Sequence, residues 1–180
     1  LKLVLRFAYG NEVLVVQSRG NNGLDEVSYP ATYYPSHDVG DDWVLSVGAS
    51  GTDGQRKIGA NGASPFSSNY GPQLDVIAPG TLELVRTTTN AAGAYATFDG
   101  TSASTCFVSG LASALMAYHP TTLAPEDVEH LIQYSAADRG VVGYDQLSGY
   151  GLLDAGAASE LIQFPDYKVV HYEAQPTSAL

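Results

Sequence analysis

Apolar residues in this chain fall mostly into short unbroken runs separated by polar, glycine-rich stretches. The runs VLVVQS (13–18), WVLSVGA (43–49) and LDVIA (74–78) are almost continuously apolar. Runs of that length suit strands covered on both faces, as in a parallel sheet. A helical period appears in two places. Residues 1–9 carry Leu1, Leu5 and Ala8 on one side, and Gly10-Asn11 stops the pattern, so they read as the end of an amphipathic helix. PEDVEHLIQYS (125–135) is the second. Pro125 lies in its first turn, and Glu126, Asp127 and Glu129 sit near the positive end of its dipole.

Between them, residues 102–120 are apolar or small on every side, which predicts a helix inside a domain. His119-Pro120 ends it. The Thr-rich segment 81–98, with a turn signal at 90–93, predicts a hairpin leading to Asp99. GYGLLDAGAASELI predicts a turn and a last helix, and the tail 164–180 breaks the pattern as an extension or linker. Alternating strands and helices predict an α/β class with a mostly parallel sheet. The long loop 19–42 between the first two buried strands has the character of a binding loop.

Composition narrows the partners. The chain has 180 residues, 44% of them hydrophobic, enough for one globular domain with a real core. Its net charge of -11 argues against a nucleic-acid binder and against docking on anionic lipid, and it suits a secreted protein. No apolar run is long enough to span a bilayer. The single cysteine, Cys106, excludes an intrachain disulfide. The chain starts without Met and inside a predicted helix, and so reads as the later part of a longer one.

Two positions invite chemistry. In FDGTSASTCFVSG (98–110), Ser102 stands at the mouth of the long helix. There it is a helix cap or a nucleophile, because free N–H groups and the positive dipole end also stabilise charge on a nearby oxygen. In SRGNNG (18–23), Asn21 is a turn residue or a side-chain amide donor aimed at an oxyanion. A parallel sheet presents its ligands at the carboxyl ends of its strands, and Asn21 stands at such an end.

Taken together, these motifs resemble the C-terminal half of a subtilisin-like serine protease, from about Leu3 to Ala158. VLVVQSRGNNG resembles the family's strand ending in its oxyanion asparagine, and Tyr29-Pro30 a Tyr-Pro pair of the family. VLSVGAS, FSSNYGPQLDVIAPG, GTSASTCFVSG and LSGYGLLDAGAA resemble the elements that follow, in the same order. The resemblance implies a three-layer α/β/α fold, present in part over 1–163, and a secreted endopeptidase acting on protein or peptide. It implies Ser102 as nucleophile and the Asn21 amide with the Ser102 N–H as the oxyanion hole. Ser18, Arg19 and Gly20 would line one wall of the substrate pocket, with Ser28 at its base. No cofactor is implied for the chemistry, though the family often binds structural calcium.

The chain departs from the family pattern at Cys106 and Phe107, where the family has Pro and often His, and at Arg19, where it has a small residue. Arg19 is expected to point outward and Cys106 to be buried as a small hydrophobe. The family's Asp and His motifs are absent from this sequence. His37, His119, His130 and His171 read as ordinary polar residues, none of them the general base, and His130 is expected to face out. This segment alone is therefore expected to be inactive, its N-terminal half being the missing partner. These departures also motivate a second reading, a non-catalytic subtilase-like binding or scaffold module. The acidic stretch 38–43 matches no calcium loop and reads as solvated.

Overall fold

The computed structural model describes residues 2–25, 44–59, 64–118 and 123–163. Three strands, β1 (Val15–Ser18), β2 (Val44–Ser50) and β3 (Val76–Pro79), form a parallel sheet in that order. Val15 pairs with Val44 and Val47 with Val76. All three predicted runs are therefore strands, and β2 is buried along its whole length.

Alternation of side chains across the sheet builds the layers. Leu45, Val47, Val76 and Ala78 join one core with residues of three helices. These are α2 (Thr101–Tyr118), α3 (Pro125–Ser135) and α4 (Ala155–Leu161). Val15 and Val44 belong to a separate cluster with Leu5 of helix α1 (Lys2–Tyr9). The result is a partial three-layer α/β/α arrangement. Asp75 ties the layers together, its buried carboxylate accepting from the Ser46 N–H and from Gln133 Nε2 of α3. The predicted hairpin is present as β4 (Arg86–Thr88) and β5 (Tyr95–Thr97), paired antiparallel.

Helix α3 spans the predicted residues, and Asp127 accepts from the Ala124 N–H at its start. Helix α4 is capped by Asp154, which accepts from the Ala157 N–H at 2.9 Å. Helix α2 departs from expectation. Ala103, Ser104, Val108, Ala112 and Leu115 are buried, but Cys106, Phe107, Ser113, Ala114 and Tyr118 are exposed. A helix that is apolar or small all round is thus covered on one side only. Helix α1 is similar, with Leu3 80% and Phe7 71% exposed while Leu5 packs inward.

Gly80 sets where α2 begins. A Cβ there would lie 2.5 Å from Ser104 Oγ and 2.6 Å from Ala49 Cβ. Ser104 Oγ meanwhile donates to the Ala78 carbonyl at 2.8 Å, and the Gly100 N–H donates to the Gly80 carbonyl at 2.9 Å. The first turn of α2 is therefore clamped against the carboxyl ends of β2 and β3. Gly80→Ala should cost about 1–3 kcal/mol by overpacking, read as a lowered denaturation midpoint of the full-length protein.

Candidate active site

The first residues of the loop after β1 and the start of α2 meet at the carboxyl edge of the sheet. Gly100 has a left-handed φ of 109°, and its carbonyl accepts from the Ala103 and Ser104 N–H groups at 3.0 and 3.4 Å. Gly100 therefore occupies the cap position, and Ser102 is the second residue inside the helix. The cap reading of Ser102 is thereby corrected: its side chain is exposed on the first turn, with the capping done by other groups.

Asn21 is one of those groups. Its Oδ1 accepts from the Thr101 N–H at 2.9 Å and from Thr101 Oγ1 at 3.1 Å. A backbone N–H only donates, so the Asn21 amide atom that meets Thr101 is the oxygen, and Nδ2 lies beside Gly100. Thr101 Oγ1 in turn accepts from the Gly20 N–H at 3.1 Å. Asn21 is exposed. The two residues singled out in the sequence, some 80 positions apart, thus share one corner, joined through Thr101.

Helix α2 runs without interruption through Cys106. The Cys106 thiol donates to the Ser102 carbonyl at 3.4 Å. Cys106 is exposed, which corrects the buried reading. With Phe107, Phe98, Ala103 and Val85 it lines a cleft of about 250 Å³ beside the hairpin. The reason is the open side of α2: a small residue is buried only where another layer covers it.

Arg19 is also corrected. Its side chain is fully buried, pointing into the fold, where Nη2 donates to the Pro72 and Tyr70 carbonyls at 2.7 and 3.1 Å. Burial lowers its pKa, and the nearby Tyr144, Asp75 and Asp25 raise it in part. Ser18 ends β1 half-buried. Ser28, Tyr29-Pro30, the acidic stretch 38–43, His37, His119, His171 and the tail 164–180 lie outside the described residues.

His130 is half-buried on α3, its ring 5.9 Å from that of Tyr134, and so does not face freely outward. Burial holds its pKa below the ordinary 6.5, with Glu126 opposing. Its unfolded form therefore takes up a proton at higher pH than its folded form. His130 should contribute stability that is present above the ordinary value and lost as pH falls through the lowered folded one. Denaturation midpoints measured across that range should fall less steeply in His130→Gln.

Among the described residues, no group of three or more His, Cys, Asp or Glu is gathered as a metal site. Nor is any helix long and apolar enough to cross a membrane.

Comparison with known proteins points to one family. The model of the family described as "Subtilase family" matches residues 2–151. Halolysin of Haloferax mediterranei is 34% identical over 81% of this chain, which covers 24% of that protein. Subtilisin BL of Lederbergia lenta is 30% identical over 88% of the chain, covering 51% of its own length. Among solved structures, a lanthipeptide protease superposes with a TM-score of 0.72 at 24% identity, over 89% of this chain and 54% of that one. The prenylagaramide maturation protease PagA gives 0.69 at 25% identity, over 90% and 55%. The chain thus spans about half, or less, of the length of these relatives.

Proposed function

The chain belongs to the subtilase family, and on that footing we propose that it carries the nucleophile and oxyanion half of a serine endopeptidase site. The observation that carries this reading is the bond from the Thr101 N–H to Asn21 Oδ1 at 2.9 Å. It anchors one end of the Asn21 amide on the helix that bears Ser102 and leaves the donor end for a substrate oxygen. The Ser102 N–H belongs to the first turn, where helix geometry leaves donors without partners in the helix.

In this mechanism, Ser102 Oγ attacks the scissile carbonyl of a protein or peptide substrate. Its proton passes to a histidine supplied by the preceding part of the protein. The carbonyl oxygen, now negative, is held by Asn21 Nδ2 and the Ser102 N–H in the field of the α2 N-terminus. Collapse of the tetrahedral species breaks the peptide bond, and the histidine returns the proton to the leaving amine. Water then releases the acyl group from Ser102. Ser18, Arg19 and Gly20 line one wall of the pocket for the residue before the cut. The Arg19 guanidinium, being turned inward, contributes no charge there.

Exposed apolar side chains among the described residues favour a covering partner. Val13, Leu14, Val16, Ala112 and Met116 line an open groove between β1 and α2, and among the described residues β1 pairs with β2 alone. Leu3, Val4 and Phe7 of α1 are exposed beside it in the chain. We assign this face to the preceding half of the catalytic domain, which brings the base and its carboxylate. The segment by itself is then inactive, since a serine without its base is a weak nucleophile.

The reading is tested by exposing the full-length protein to a serine-directed fluorophosphonate probe. Stoichiometric labelling that maps to Ser102 is the expected result. Labelling at another serine would move the nucleophile elsewhere, and none in a folded full-length protein would favour the non-catalytic module that Cys106 and Phe107 suggest.

A further inference from the structure

Asn21 sits on a loop, and a loop does not by itself hold an amide to the fraction of an ångström that an oxyanion donor requires. The backbone on either side of it is held by one residue. Asn69 is buried, with 2% of its surface exposed. Its own N–H donates to the Gly20 carbonyl at 2.9 Å. Its side-chain Nδ2 donates to the Arg19 carbonyl at 3.2 Å. Its Oδ1 accepts from the Asn22 N–H at 2.9 Å and from the Leu24 N–H at 3.1 Å. Asn69 thus binds peptide groups before and after Asn21 while leaving the Asn21 side chain to Thr101.

The same segment is gripped from the other direction. The Arg19 guanidinium donates to the carbonyls of Tyr70 and Pro72. The Gly23 N–H donates to the Ser67 carbonyl and the Tyr70 N–H to the Leu24 carbonyl, at 3.0 and 3.1 Å. The segment 67–72 therefore serves as a template on which the loop 19–24 is laid.

We propose that Asn69 is a positioning residue for the oxyanion donor Asn21: it acts on catalysis through the loop backbone, without touching substrate. This rests on the reading of Asn21 as an oxyanion donor. Asparagine suits the task because its side chain offers an acceptor and a donor at once, and the loop presents N–H groups and a carbonyl together. Aspartate keeps the acceptor for Asn22 and Leu24 but cannot donate to Arg19. Alanine loses both.

The test is a double-mutant cycle in the full-length protein, with kcat and KM measured on a chromogenic peptide anilide. Asn69→Ala should lower kcat about 10–100-fold, the scale of a displacement approaching 1 Å, with KM within about twofold. Asn69→Asp should lose less. In an Asn21→Ala background, Asn69→Ala should change kcat by less than about threefold, because a donor already removed cannot be misplaced.

Losses that multiply independently would overturn the proposal, as would an unchanged kcat in a folded Asn69→Ala protein. If Asn69→Ala fails to fold, Asn69→Asp decides through the same cycle. The premise fails separately: an unchanged kcat in Asn21→Ala removes the oxyanion reading, and the positioning role with it. A large loss in Asn21→Ala with no coupling to position 69 removes the positioning role alone.

Discussion

Ser102→Ala in the full-length protein should abolish fluorophosphonate labelling and lower kcat on peptide substrates by about 10⁶-fold. That scale is the one measured for the nucleophile of subtilisin and is taken over from there. The direction follows from this chain. The Ser102 hydroxyl is exposed on the first turn of α2. Helix capping at that end is done by Gly100 and by Asn21 Oδ1. Removing the hydroxyl therefore takes away no structural bond, and the unfolding midpoint should stay within about 0.5 kcal/mol of the parent, as for an ordinary surface substitution. Loss of activity with stability retained separates a chemical role from a structural one. Labelling that persists in the alanine variant would move the nucleophile elsewhere.

The second large effect is expected at Asn21, where two substitutions divide its two ends. Asn21→Ala removes both. It should cost about 1 kcal/mol through loss of the capping bond to the Thr101 N–H, and lower kcat about 10²–10³-fold, a range measured for the corresponding donor in subtilisin. Asn21→Asp keeps an oxygen for Thr101, so the start of α2 keeps its cap. It loses the amide donor and places negative charge where the transition state develops its own. Its kcat should fall at least as far as that of the alanine variant while its stability stays near the parent's. Both measurements need only steady-state kinetics and a denaturant titration. An aspartate variant with parental kcat would show that the amide nitrogen does no chemistry.

Much of the frame was legible in the residues. The apolar runs became β1 to β3, and the second periodic helix became α3 over the same residues. Period and punctuation are local, and local patterns specify local structure. The errors share a different origin. Cys106 was expected inside and is exposed, while Arg19 was expected outside and is fully buried. A residue's depth depends on what else in the fold packs over it. An α2 of apolar and small residues says that it should be covered without saying by what. Arg19 is buried because the carbonyls of Tyr70 and Pro72, more than 50 residues away, turn toward it. Asn69 carries no signature in one sequence, since its value lies in which loop lies opposite.

By itself, then, the sequence determined the strands, the helices and a Gly-Thr-Ser turn at the mouth of an apolar helix. That turn alone left Ser102 between cap and nucleophile, because serine suits both, and it was the resemblance of the surrounding motifs to a family that implied the nucleophile. Only the tertiary structure removed the first alternative. An amide oxygen brought from the end of β1 takes the Thr101 N–H, and the Gly100 carbonyl takes the first intrahelical bonds. Capping is a matter of satisfying particular N–H groups, and which atom satisfies them is decided when two distant segments meet.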